Sequence, residues 1–465
     1  EITTRLVGSE MCIRDRYITL AAVAFSSVSC LDKYPEDAIP EGDAIRTVEE
    51  ANQAVIGIYA YMKNPNLYSG LLTLLPDLQA DLAYAVEGYT NTYGNIWRWD
   101  ILPTNTEVEA VYGTLNALIG KCNFLLERIA VLEQEVDDED YEKLQQFKGE
   151  ALFARALSYS DLIKMYCKAY DPATAADELG VVLVSSYSNA GTLKRASLKD
   201  SYQFVLDDLA QSATCLKPDE NENDESYYDT LYFTIYAVNA LYARVYLNMQ
   251  EWDKAIEYAS KVIDSRKFKL SSTTEMIDSE TSYYQYMWQY DHSTETIWKV
   301  GFTTTSYGGS LGQIFFNYDF NSFKPDYVPA EWVLNLYADT DLRATTFFQF
   351  YRTGYEHGLQ WPLLAKYFGN QEFYEQNILH VTMPKVFRLS EQYLIRAEAY
   401  CQKSNPEYGK GANDLTTLRQ ARYSNYGSAS LTEENWFKEI SEERVRELYM
   451  EGFRLNDLKR WGQQG

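Results

Sequence analysis

The feature that most constrains this chain is a series of long apolar stripes at helical spacing. In residues 108–132, Val111, Leu115, Leu118, Ile119, Cys122, Leu125, Leu126 and Ile129 recur every three or four positions. A strand would split that set between two faces, whereas a helix gathers it on one. Residues 141–166 repeat the pattern with Leu144, Phe147, Ala151, Ala154, Leu157, Leu162 and Met165. Helices are also predicted over 47–62, 198–215, 232–249, 252–264, 391–402 and 411–422. A chain with this much helical period folds as mainly α, helix packed on helix.

Small residues show how some of those helices meet. In YAVNALYARVYLNMQEWDKAIEYASKVID, residues 236–264, Ala243 and Ala255 lie at matching places on consecutive helices, with Tyr246, Trp252, Tyr258, Ala259 and Val262 filling the space around them. This resembles a tetratricopeptide helix–turn–helix unit. A looser copy has Ala397 and Ala399 on one helix and Ala412 and Leu415 on the next. The helices at 108–132 and 141–166 pair similarly. No strict repeat period runs through the chain, so a plain solenoid is excluded.

Between the helices lie stretches at 67–103 and 271–361, rich in Tyr, Trp, Asn, Gly, Ser and Thr. Irregular segments this long inside a compact protein usually carry function. They also hold much of a marked tyrosine excess, 40 Tyr against 20 Phe. Residues 220–229, ENENDESYYD, read as a solvated acidic linker.

Charge and chemistry exclude several classes of function. A formal net charge of −25 repels phosphate backbones, so no nucleic-acid partner is expected. The three histidines, His292, His357 and His380, are too scattered for a metal centre or a Ser-His-Asp site. Asp339 and Asp341 lack the regular oxygen ligands of a Ca²⁺ loop. YGGSLG at 307–312 lacks the Lys and following helix of a phosphate loop. No metal and no cofactor is expected.

The first residues, 1–16, EITTRLVGSEMCIRDR, have no apolar period and resemble translated sequencing-adaptor text, an artefact or non-native leader; a genuine basic leader is the alternative. Residues 17–29 are apolar, uncharged and too short to span a bilayer, with the length of a secretory signal core. Small residues then precede Cys30, the pattern of a bacterial lipoprotein signal whose cleavage leaves Cys30 free for acylation. The other reading is a buried strand with an ordinary cysteine. The remaining cysteines, including Cys122, Cys167, Cys215 and Cys401, show no CxxC spacing and are expected mostly as free thiols.

Longer motifs carry a specific resemblance. MPKVFRLSEQYLIRAEAY at 383–400 and ISEERVRELYMEGFRLNDLKRWG at 440–462 are similar to two segments of SusD/RagB nutrient-binding lipoproteins. CLDKYP at 30–35 matches that family's start, and VYGTLNALIGKCNFLLERI its early helix, with Tyr112 and Asn123 at the aromatic and Asn positions. The resemblance implies a SusD-like fold: tetratricopeptide-like helix pairs forming a scaffold, a large loop-rich face and a few short strands. Residues 30–465 would form a single domain, with an N-terminal part at about 30–215 and a C-terminal SusD/RagB part at about 290–465. It further implies a non-enzymatic lipoprotein on the outer face of the Bacteroidetes outer membrane. Its partner would be a SusC-like TonB-dependent transporter, to which it delivers glycans, or peptides in RagB-like members. Family members usually continue past the R-W-G segment, so the sequence reads as truncated at its C-terminus.

Two further readings concern side chains. Glu443, Glu447 and Glu451 fall one helical turn apart, with Arg444, Arg446, Arg454 and Arg460 among them. Dense arginine lowers carboxylate pKa values, whereas a general acid needs a raised one. The motif therefore reads as an ion-pair clamp and not as a catalytic pair. For sugar binding, flat aromatic faces with nearby amides and carboxylates are needed. In TNTYGNIWRWDILP at 90–103, Trp97 and Trp99 would point the same way from an extended loop, flanked by Tyr93, Asn95 and Arg98. The family often cradles ligand with aromatics of this loop; the alternative is that both tryptophans pin it. In SYYQYMWQY at 282–290, Tyr284, Tyr286 and Trp288 would share one face of a strand, in a hairpin with the strand TIWKVGF at 296–302. That hairpin either presents or buries them. Tyr307, Phe315, Tyr318 and Phe320 would complete the arc.

Overall fold

The computed structural model describes residues 44–87, 91–187, 193–216, 231–318, 320–355, 358 and 360–462. Cys30 and the leader, the acidic linker 220–229 and His357 lie outside those residues.

Helices form where the apolar stripes predict them. Val48–Met62 begins at Thr47, whose hydroxyl accepts from the Glu50 N–H while the Glu50 carboxylate accepts from the Thr47 N–H. That reciprocal cap satisfies two donors the helix cannot. Asn105, Asp137, Ser197 and Thr234 cap Thr106–Leu132, Asp138–Tyr166, Leu198–Cys215 and Ile235–Asn248. Successive helices pack on one another. Asp138–Tyr166 lies against both Thr106–Leu132 and Leu198–Cys215, and Leu389–Gln402 against both Trp252–Ile263 and Tyr408–Gln420.

The two repeat-like pairs meet through methyl groups, since Ala243, Ala255, Ala259 and Ala399 share one buried cluster with Ile395. Gly411 lets Tyr408–Gln420 close on its neighbour: a Cβ there would stand 2.9 Å from the Ala397 carbonyl oxygen. Part of the tyrosine excess packs here too, with Tyr258 stacked 4.2 Å from Tyr242 and 5.5 Å from Tyr246.

Strands are short and pair in antiparallel twos among the described residues. The strand predicted at 296–302 forms over Thr296–Lys299, but its partner is Lys385–Arg388. The expected hairpin with 282–290 does not exist, because that stretch is the helix Tyr283–Gln289. Ser282 and Gln285 close a capping box at its start. Residues 67–103 are also more regular than their composition suggests: Leu71–Leu78 is helical despite Pro76, and Gly94–Trp97 is a single turn.

The C-terminal third is locked by buried ion pairs. The Glu447 carboxylate accepts from Arg343, Arg388 and Arg422 at 3.0, 2.7 and 2.9 Å. Glu443 accepts from Arg343, Arg419 and Arg446 at 2.7, 2.7 and 2.9 Å. Burial would raise both carboxyls, but the surrounding guanidinium groups outweigh it and hold them below the ordinary range. The clamp thus exists, but with different partners from those the sequence suggests. Of the arginines inside the motif, Arg446 reaches Glu443, whereas Arg444 and Arg460 pair with Asp457 and Arg454 with Asp81. Asp341, read as part of an acidic turn, is buried against Arg343 at 2.7 Å. Cys122, Cys167, Cys215 and Cys401 are buried free thiols. Among the described residues no helix is long and apolar enough to cross a membrane.

Candidate functional site

The short ladder between Ala83–Ala85 and Tyr327–Pro329 positions the site. The Asn91 amide donates to the Asp326 carbonyl, and the Tyr327 hydroxyl donates to the Thr92 carbonyl at 2.6 Å. These bonds fix the start of the tryptophan loop to the strand. Tyr93 then adopts a left-handed backbone, φ 60°, opening the turn Gly94–Trp97, and Trp99 does the same at φ 61°. A bulky residue in that region costs about 1–3 kcal/mol, a strain that surrounding contacts must hold.

Those contacts are indole hydrogen bonds. Trp97, Trp99 and Trp332 donate to the carbonyls of Ala83, Gln79 and Asp81 at 2.9, 2.7 and 2.7 Å. Trp361 donates to Pro329 at 2.8 Å. Trp97 and Trp99 do not behave alike, because the turn Gly94–Trp97 ends between them and Trp99 takes up a left-handed backbone. Trp97 is half-buried against the core and pins the loop. Trp99 is 61% exposed and leaves its ring face open.

Around them, Tyr93 is half-buried between two core clusters. Burial raises its hydroxyl pKa, with the Glu107 carboxylate adding to the rise. Arg98 acts on the Tyr327 hydroxyl, opposing the upward push of burial and Asp326. The Asn95 carbonyl takes the Asp100 N–H at 2.9 Å and closes the turn. Exposed Tyr84 and the half-buried Trp332 extend this aromatic edge. The Arg454 guanidinium lies 5.3 Å from the Trp332 ring while paired to Asp81. Sequence reasoning missed Tyr84, Trp332 and Trp361; each stands in an unremarkable context, and only the long-range ladder collects them.

The second candidate set is core. Tyr284 and Trp288 lie one turn apart on Tyr283–Gln289 and are buried, Tyr284 completely. The Arg422 guanidinium sits 4.3 Å from the Tyr284 ring and the Lys366 ammonium 4.1 Å from Trp288. Tyr286 is half-buried and stacks on Tyr290 at 4.8 Å.

The third set divides. Phe315 is buried, and Tyr307 is exposed with its ring 6.3 Å from Phe373. The glycines after Tyr307 serve close packing, since a Cβ on Gly308 would stand 2.4 Å from the Lys63 carbonyl oxygen. Tyr318 joins an aromatic cluster, 4.6 Å from Phe323 and 5.6 Å from Phe320. Phe320 and Phe350 are 68% and 73% exposed. The Tyr355 hydroxyl donates to the Pro325 carbonyl at 2.7 Å, next to the Asp326 that holds Asn91. Tyr284 and Trp288, by contrast, stay beneath the surface.

Comparison with known proteins places this geometry in a family. Residues 30–247 match a family model described as starch-binding and associating with the outer membrane, and residues 352–464 match the SusD family model. A SusD-like protein of Formosa agariphila is 22% identical, the match covering 96% of this chain and 89% of that protein. A SusD superfamily crystal structure from Bacteroides thetaiotaomicron superposes with a TM-score of 0.76 at 22% identity, covering 90% of this chain and 89% of the other. A putative sugar binding protein from Bacteroides vulgatus gives 0.73 at 25% identity, covering 90% and 88%. Surface glycan-binding protein A from Bacteroides fluxus gives 0.66 at 18% identity, covering 90% and 89%. The motifs at 383–400 and 440–462, the helical scaffold and these matches agree: the chain belongs to the SusD/RagB family.

Proposed function

We propose that this protein is an outward-facing outer-membrane lipoprotein, anchored through Cys30, that binds oligosaccharides or polysaccharide. It passes them, without chemical change, to a SusC-like TonB-dependent transporter. The observation that carries the reading is Trp99: a rigidly held indole whose N–H is occupied by Gln79 and whose apolar face is open to solvent. Sugar C–H groups would pack on such a face, with Asn95, Arg98 and the exposed Asp100 beside it in sequence as candidate hydroxyl partners. The relatives described as glycan- and sugar-binding support it.

A few stacking contacts of about 1 kcal/mol each, with hydrogen bonds, give a dissociation constant of roughly micromolar to millimolar. That range suits capture followed by release to a partner. The test is calorimetry against an oligosaccharide panel with the wild type and Trp99→Ala. Saturable binding that weakens about tenfold in the variant is expected. Equal affinity in both proteins would remove Trp99 from the site. Binding to peptides alone would assign the cargo to the peptide class.

A further inference from the structure

A small pocket lies where the end of Asp138–Tyr166 meets the C-terminal helix Arg454–Arg460. It is partly open to solvent, has room for about 20 Å³ and is lined by Lys164, Lys168, Asn248, Asn456, Lys459 and Arg460, among others. We infer that this pocket binds a single inorganic anion of halide size, chloride in a saline medium.

The lining argues for an anion on three grounds. The first is charge. The chain as a whole carries −25, yet no carboxylate lines this pocket among the described residues. Lys164, Lys168 and Arg460 have carboxylate partners outside it: Asp161 at 3.8 Å, Glu178 at 2.9 Å and Asp457 at 2.9 Å, with Glu398 also on Arg460. The Lys459 ammonium instead donates to the Lys164 and Cys167 carbonyls at 3.1 and 2.7 Å. It thereby caps the end of Asp138–Tyr166, which explains its position but leaves its charge without a carboxylate.

The second ground is unmet hydrogen bonding. Asn456 Nδ2 and Arg460 Nε are closed to solvent and have no partner. The Arg460 side chain is 4% exposed. A water molecule would accept from them but brings no charge to the Lys459 ammonium. An anion accepts from every side and gains charge-assisted bonds.

The third ground is size. The volume is close to that of one water-sized sphere, a match for one monatomic ion. Burial also holds the Lys164 and Lys459 ammonium groups below their ordinary pKa, with Lys164 adding to the effect on Lys459. A bound anion relieves that repulsion. Tyr202 on Leu198–Cys215 and Asn248 on Ile235–Asn248 complete the lining, so the ion would join three scaffold helices to the C-terminal one.

Crystals of the full chain grown in bromide test the site directly. An anomalous peak among Asn456, Lys459 and Arg460 is expected, and a fully occupied water without anomalous signal overturns the inference. In solution, replacing gluconate by chloride at constant ionic strength should raise Tm by about 2 °C. Asn456→Leu should abolish that shift. Should that variant fold poorly, Lys168→Met at the exposed rim should raise the half-saturating chloride concentration several-fold with the gluconate Tm unchanged. Equal Tm in the two salts, or a larger shift with phosphate than with chloride, refutes a halide-sized site.

Discussion

Two aromatic stretches of this chain look alike in sequence and behave as opposites. TNTYGNIWRWD ends with Trp99 open to solvent, and SYYQYMWQY sinks Tyr284 and Trp288 into the core. Aromatic density does not separate them; the backbone does. Ser282 and Gln285 cap a regular helix that turns two rings inward together. Tyr93 and Trp99 adopt left-handed conformations that interrupt any regular element and turn one ring out. Exposure of a large apolar ring is thus the product of a strained turn, and its burial the product of a good cap.

The largest way to break the buried half is through its ionic backing. Arg422→Met leaves Glu295 and Glu447 buried without a partner they both use. A loss of about 3–5 kcal/mol is expected, read as a lowered urea midpoint. Trp288→Ala removes a buried indole and should cost about 3–5 kcal/mol while leaving glycan affinity unchanged in whatever protein remains folded.

Acid attacks the same region. Glu443 and Glu447 are held below their unfolded value of 4.5, so their contribution is present above about pH 4.5 and lost as pH falls through the folded values. Tm measured downward from neutral pH should fall, and less steeply in Glu443→Gln on its lower baseline.

Trp99→Ala tests the exposed half, with affinity about tenfold weaker and stability lowered by about 1 kcal/mol through loss of the Gln79 hydrogen bond. Tyr286→Ala sharpens the contrast between the stretches. Half-buried on the outer side of its helix, it should alter stability by less than about 1 kcal/mol and glycan affinity not at all.

How far the sequence shows all this depends on the range of the interaction. Stripes such as Val111–Leu115–Leu118–Cys122 are local and predict their helices directly. The alanines at 243, 255 and 397 announce close helix pairs for the same reason. At 284–288 the local signal was ambiguous: Tyr284 and Trp288 share a face at strand period and at helix period alike, and the S-x-x-Q cap was the residue pattern that decided it. The tryptophan loop was recognisable as a site candidate, but not the separate aims of Trp97 and Trp99. A left-handed φ at Tyr or Trp has no sequence signature. The ion lattice was visible as a motif and illegible as a network, because Arg343 lies a hundred positions from Glu443 in sequence. Tyr84, Trp332 and Trp361 were beyond reach for that same reason.

If sugar binds at Trp99 as proposed, its indole N–H governs how binding proceeds in time. Its one polar atom is already committed to Gln79, so the ring is held in one orientation before any sugar arrives. No side-chain ordering is left to follow encounter, and association should run at the rate at which sugar finds the face. The ring itself offers no directional bond to hold one sugar over another. Discrimination then resides in dwell time, set by the hydroxyl partners around the ring, and a short dwell is what a hand-over to another protein requires.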